Sequence, residues 1–197
     1  MQPLDDLTAI AAPFADSDID TDQIVPARFL SRPRDMGFAE CLFHDLRYTA
    51  DGEERAGFVL NRPAYKCARI LVADGNFGCG SAREQAVYAL SDYGFRAVIA
   101  PSMGDIFRTN CFQNGLAPII LPKDTVTAML SGLLERPGAC VGIKLAKALV
   151  QAPSGAVHPF TMDRFQTELL LEGRAEIDVT LGEMAKITAF EARHRIW

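Results

Sequence analysis

No segment of the 197-residue chain approaches the roughly 18 consecutive apolar residues that a membrane-crossing helix requires, so a membrane partner is not expected. An excess of positive charge is missing as well. With 20 Lys and Arg against 25 Asp and Glu the net charge is −5, a long-range field that repels polyanions and argues against nucleic acid as a partner. The five cysteines (Cys41, Cys67, Cys79, Cys111 and Cys140) include no C-x-x-C pair. Such an odd, scattered set excludes a disulfide frame and gives the chain no zinc or iron–sulfur site of its own. Reduced thiols in a cytoplasmic protein are the expectation. Before its first apolar stretch the chain carries Asp5 and Asp6 and neither Lys nor Arg, the reverse of a secretory leader. Repeats and low-complexity tracts are also lacking, which directs attention to local constellations.

What is present is enough to fold. Apolar residues make up 49% of the chain and charged residues 23%, which excludes disorder as an account of the whole. The length fits one domain spanning 1–197. From Leu4 to about Pro63 the pattern is irregular, with acids at Asp16, Asp18, Asp20 and Asp22 and basic residues at Arg28, Arg32 and Arg34. Short strands and functional loops are expected there. From about 66 to 136 apolar runs alternate with helical periodicity. Strands are predicted at Ala68–Ala73, Ala97–Ala100 and Pro118–Leu121, and helices at Ser81–Tyr93, Met103–Gln113 and Lys123–Leu134. That alternation predicts a parallel α/β core with right-handed crossovers. A hairpin near Pro153-Ser154-Gly155 and helices near Asp163–Leu171 and Gly182–His194 complete the expectation, the last two in a helical tail over about 160–197.

The segment between the first core strand and its helix is the most informative. It reads Asp74-Gly75-Asn76-Phe77-Gly78-Cys79-Gly80-Ser81-Ala82-Arg83-Glu84-Gln85. Its glycines let the backbone approach a ligand, and a helix N-terminus presents unpaired N–H groups to an anion such as a carboxylate or phosphate. Ser81 fits the N-cap, and Glu84 three residues on completes a capping-box pattern. The nucleotide fingerprints fail: a dinucleotide loop requires glycine where Arg83 stands, and a Walker A loop requires lysine where Ser81 stands. A nucleophile elbow around Ser81 requires glycines where Cys79 and Arg83 stand. What remains is a hydroxyl, an arginine fork and a nest of amides aimed at one anion. The alternative is a capped helix with no ligand. Cys79 supports a rival, a reactive thiol whose pKa falls beside the helix end, although His44, His158 and His194 all lie far from it in sequence.

Three ordered segments carry a family likeness: Asp18–Leu30 (DIDTDQIVPARFL), Asn76–Glu84 (NFGCGSARE) and Asp105–Gly115 (DIFRTNCFQNG). Together they resemble the small subunits of 3-isopropylmalate dehydratase, which are similar to the swivelling fourth domain of aconitase made as a separate chain. The resemblance implies an α/β fold with a β/β/α arrangement. It also implies a hydro-lyase of leucine biosynthesis that interconverts 2- and 3-isopropylmalate by dehydration and rehydration. The [4Fe–4S] cluster is expected on a large partner subunit, in a heterodimer or higher assembly, and none on this chain. By the same resemblance Ser81 acts as the base that removes a carbon-bound proton next to a carboxylate, and Arg83 grips a substrate carboxylate. Gly78, Cys79, Gly80 and Ala82 surround the substrate.

In the substrate loop, about 18–38, Arg28 and Arg32 are the candidates for a second carboxylate, and Arg34 is read as a solvated rim charge. Phe29 and Leu30 face either an isopropyl group or the core. Asp20, Thr21, Asp22 and Asn76 are expected to organise the loop by bonding nearby backbone amides. Ala82 stands where many relatives have a second serine and Gln85 where many have histidine. Related diacids such as citraconate or homoaconitate therefore stay open as substrates, as does a module that binds a dicarboxylate without chemistry.

Overall fold

The computed structural model describes residues 1–194, and the expected tail residues 195–197 lie outside the described part. Its frame is one curled sheet of seven strands in the order β4-β3-β2-β1-β5-β6-β7. In chain order these are β1 (Leu7–Phe14), β2 (Ile70–Ala73), β3 (Ala97–Ala100), β4 (Ala117–Ile120), β5 (Cys140–Lys144), β6 (Leu149–Gln151) and β7 (Val157–Pro159). The helices are α1 (Thr21–Ile24), α2 (His44–Arg47), α3 (Glu84–Tyr93), α4 (Asp105–Gln113), α5 (Lys123–Glu135), α6 (Arg164–Glu172), α7 (Glu176–Gly182) and α8 (Met184–Arg193).

β1 is the hinge of the architecture. Its second half runs parallel to β2, with Ala11 opposite Ile70 and Phe14 opposite Ala73. Its first half runs antiparallel to β5, with Leu7 opposite Ile143. The parallel half continues through β3 to β4, and the antiparallel half through β6 to β7. Strands β2 and β3 are buried along their whole length, as parallel strands covered on both faces must be. Side chains alternate between two cores. Ala12, Phe14, Leu71, Ala73, Val98 and Ala100 point to the side of α3, α4 and the loops after α1. Ala11, Ile70, Val72, Ala97, Ile99 and Ile119 point to the side of Val126, Met129 and Leu133 of α5.

The parallel core, the hairpin and the helices at 164–172 and 184–193 match the sequence reading to within a few residues. Three features differ. β1 forms an eight-residue strand inside the region read as irregular, because its Ala-rich run has partners far away in the chain on both edges. α7 stands where no helix was assigned. The helix expected to begin at Ser81 begins at Glu84, and this shift changes the site.

Candidate active site

The glycine-rich turn is built by two long-range partners. From the first side, the segment after β1 lies along it. Gly78 N–H donates to the Ile19 carbonyl (2.7 Å), Thr21 N–H to the Cys79 carbonyl (3.0 Å), and Asp18 N–H to the Gly75 carbonyl (2.9 Å). The buried Thr21 hydroxyl donates to the Ser81 carbonyl at 2.8 Å. From the second side, the segment before α4 closes on it. Phe77 N–H donates to the Ser102 carbonyl (3.2 Å) and Gly104 N–H to the Phe77 carbonyl (2.9 Å). The Ser102 hydroxyl accepts from Asn76 N–H at 2.8 Å.

These ties explain why Ser81 is not a helix cap. Its backbone is held against Thr21, Gly80 turns the chain with φ +88°, and Arg83 occupies the N-cap position without a side-chain cap bond. Glu84 does not reach back to form a capping box. It accepts instead from Asn114 Nδ2 at 3.1 Å. The Ser81 side chain is consequently exposed in a hollow of about 260 Å³ lined by Gly78, Gly80, Ser81, Gly104, Asp105, Ile106 and Phe107. The helix end on this hollow is that of α4, whose first-turn amides lack intrahelical partners. Gly104 and the first turn of α4 were missed in the sequence reading. The cue available was Gly104, which directly precedes the third family-like segment.

At this turn two glycine positions admit no side chain. A Cβ on Gly78, at φ +70°, would lie 2.3 Å from the Phe107 ring, and one on Gly104 would lie 2.4 Å from the Gly78 carbonyl oxygen. The Ser81 turn and α4 are thereby locked together.

The loop-organising residues form a connected set. Asp20 caps α1 in a reciprocal pair with Gln23: its carboxylate accepts from Gln23 N–H at 2.8 Å, and its own N–H donates to Gln23 Oε1 at 2.9 Å. Asn76, at φ +58°, donates through Nδ2 to the Asp18 carboxylate at 2.8 Å. Asp22 accepts both arms of the Arg83 guanidinium, and Arg83 also donates to the Val25 carbonyl at 3.3 Å. Arg83 is nearly buried, with its side chain 12% exposed.

The hydrogen bonds from Arg83 hold the Asp22 carboxyl below its ordinary pKa. A carboxyl whose folded pKa is depressed adds stability above its unfolded value, near 3.9, and loses it as pH falls through the folded value. Asp22→Asn is therefore expected to be less stable than the wild type at neutral pH, by a gap that closes below about pH 4. Denaturant unfolding across that range checks this, and a gap independent of pH contradicts it.

The other arginines are mostly engaged. Arg28 forms a bidentate pair with Asp45 and bonds His44 Nδ1 at 3.0 Å. Arg34 is not a free rim charge: it pairs with Asp92 through both arms (2.7 and 2.8 Å) and lies 4.4 Å over the Tyr88 ring. Arg32 donates to the Met36 carbonyl at 2.9 Å, and its Nε is buried without a partner among the described residues. Phe29 packs on the core, with its ring 5.0 Å from that of His44. The Leu30 carbonyl accepts from Gln85 Nε2 at 3.4 Å. Neither apolar side chain lines the Ser81 hollow.

Cys79 departs from the activated thiol of the rival reading. Burial, followed by the charges of Asp20 and Asp18, pushes its pKa up. That leaves less thiolate, the reverse of what a nucleophile requires.

Comparison with known proteins identifies the family. The aconitase C-terminal domain family matches residues 1–124. The 3-isopropylmalate dehydratase small subunit of Paramagnetospirillum magneticum is 45% identical over 191 residues, covering 97% of this chain and 95% of that one. The protein of the same name from Geobacillus kaustophilus is 48% identical over 178 residues, covering 90% of each. Among solved structures, 3-isopropylmalate dehydratase from Methanocaldococcus jannaschii superposes with a TM-score of 0.66 at 26% identity, covering 95% of this chain and 98% of that chain. The chain belongs to the 3-isopropylmalate dehydratase small-subunit family, within the aconitase C-terminal domain family.

Proposed function

We propose that this chain contributes the base and a carboxylate clamp to a hydro-lyase that interconverts 2- and 3-isopropylmalate by dehydration and rehydration. The observation that carries this reading is a half-built site. Ser81 stands exposed in a hollow walled by two glycine turns and the first turn of α4, and the hollow has no Lys or Arg in its lining. A dicarboxylate enclosed there needs cations from elsewhere. One is Arg83, which stands outside that lining and already holds a carboxylate, that of Asp22. Exchanging one carboxylate for another on the same planar fork keeps the bidentate geometry and the charge balance.

Ser81, as its alkoxide, takes the proton from the carbon next to the substrate carboxylate and becomes a neutral hydroxyl, while the C–H electron pair forms the double bond and the substrate's hydroxyl leaves from the neighbouring carbon. A hydroxyl is a weak base until its anion is stabilised, and the first-turn amides of α4 supply that stabilisation once the large subunit covers the hollow. Phe107 beneath Gly78 and the glycines around Ser81 let those groups approach closely.

The other half of the site belongs to a large subunit. Among the described residues no three His, Cys, Asp or Glu side chains gather as metal ligands, and the cysteines stand apart as free thiols. The described residues do not fit an iron–sulfur cluster. The reading places the [4Fe–4S] group on the partner, where a cluster supplies Lewis acidity toward a departing hydroxyl. With its free thiols the protein is assigned to the cytoplasm.

The test is anaerobic reconstitution of the purified chain with its large subunit, following unsaturated diacid formed from 3-isopropylmalate, with 2-methylmalate, homocitrate and malate in parallel. Turnover of isopropylmalate by the mixture alone is expected. Turnover of only another diacid would reassign the substrate. Activity of this chain by itself would overturn the half-site reading.

A further inference from the structure

The tail beyond β7 carries apolar side chains with nothing over them. α6 packs into the core through Leu169 and Leu170, but among the described residues α7 and α8 bury none of theirs. Ile177, Leu181, Met184 and Phe190 stand 46–59% exposed, with Ile177 and Leu181 one turn apart on the same face of α7. Helices of seven and ten residues are too short to persist in water by propensity alone and draw their stability from a buried apolar face. Here that face has no cover among the described residues, the condition that marks a docking surface.

Three observations bear on what covers it. The first is position. The exposed side of α4 runs from Asp105 and Ile106, which line the Ser81 hollow, past Thr109 to Gln113, which together with Ile177 lines a groove of about 430 Å³. Asp105 and Gln113 are about 12 Å apart along the helix axis. A subunit that closes the hollow across an interface of standard size, roughly 30 Å wide, therefore reaches the groove as well. The second is charge. α7 exposes Glu176 and Asp178 beside its apolar residues, so two copies of this chain meeting on that face would set like charges against each other. The third is where the tail occurs. The aconitase C-terminal domain match ends at residue 124, whereas the small subunit of Paramagnetospirillum magneticum aligns over 97% of the chain, too much to leave out α7 and α8. The tail lies outside the domain match and inside the likeness to a small subunit.

We propose that α7 and α8 form a docking surface for the large subunit, which covers Ile177, Leu181 and their neighbours with an apolar patch rimmed by Lys or Arg. The inference rests on the reading that a large subunit completes the Ser81 site.

The test combines amide hydrogen exchange of the full wild-type chain, alone and with its large subunit added anaerobically, with the dissociation constant between subunits. That constant is read for the wild type, for Ile177→Ser/Leu181→Ser, and for Val157→Ser, a control at an equally exposed apolar residue on β7. Amides of 176–193 are expected to slow at least about tenfold when the large subunit is added. The double variant is expected to weaken assembly about ten- to hundredfold, and the control by less than about twofold. The melting temperature of the isolated chain and kcat at saturating large subunit should not change. Exchange in 176–193 that does not respond would overturn the proposal, and being read on the wild type it stands whether or not the variant folds. A dissociation constant unmoved by the double variant, or an equal loss in the control, would also overturn it. So would a wild-type dimer that the double variant dissolves while subunit affinity holds, because a second copy would then cover the face. Amides of 77–82 and 104–108 judge the half-site reading separately. Their protection without that of the tail sinks the docking surface alone, whereas no protection at the hollow sinks the half-site reading.

Discussion

Ser81→Ala, assembled with the large subunit, is expected to turn over 3-isopropylmalate about 10²- to 10⁴-fold more slowly than the wild type, the usual contribution of a positioned proton-transfer group. The KM should change little. The Ser81 hydroxyl is small and exposed, whereas the contacts that shape the turn run through its carbonyl, which accepts from Thr21, and through the backbone of Gly78 and Cys79. Deleting Oγ leaves all of these in place. The loss should therefore appear in kcat, with unchanged thermal stability and subunit affinity. A variant whose activity falls only because it no longer assembles would point to docking rather than chemistry at this position.

The second large effect is structural. Gly78→Ala is expected to cost about 2–5 kcal/mol of stability, combining a left-handed backbone position occupied by an L residue with overpacking of a filled core. The two components are separable, because the added Cβ meets the Phe107 ring, 2.3 Å away at its nearest atom, whereas the φ of +70° is a property of the turn itself. In a Gly78→Ala/Phe107→Leu double variant the clash is relieved and the backbone cost stays. The double variant should accordingly lose less than the sum of its two single variants, by denaturant unfolding. Additive losses would mean that the turn and α4 do not press on each other as described.

The same lock explains how much of the site was legible from sequence. The parallel core was readable because β2 and β3 are apolar without interruption and their helices carry regular spacing, so local pattern and tertiary demand agree. That other segments approach the Ser81 turn closely was legible from its glycines. Its conformation was not. Ser81-x-x-Glu84 is a capping pattern on local grounds, yet Thr21, sixty residues earlier, holds the Ser81 carbonyl and delays the helix to Glu84. Local propensity lost to a long-range hydrogen bond. β1 was unreadable for a related reason: its eight residues satisfy a parallel neighbour on one edge and an antiparallel one on the other, and no single period describes both halves.

Charge pairing was the least visible feature. The sequence shows the arginines, but nothing in it says that Arg83 meets Asp22, Arg28 meets Asp45 and Arg34 meets Asp92. On the proposed reading Arg83 exchanges the Asp22 carboxylate for that of a substrate, whereas Arg32 has no carboxylate partner among the described residues and keeps a buried, unbonded Nε. Of the loop arginines, Arg28 and Arg34 are paired with carboxylates and Arg32 is not.

The claim on which all of this turns is that Ser81 moves the carbon-bound proton, and solvent-deuterium exchange tests it most directly. The reconstituted enzyme is incubated with 3-isopropylmalate in deuterium oxide, and the recovered substrate is examined by NMR at the carbon next to the carboxylate. Deuterium accumulating with the wild type, and falling to background with an assembled, substrate-binding Ser81→Ala enzyme, is the result predicted. Exchange by that variant at the wild-type rate would place the base elsewhere.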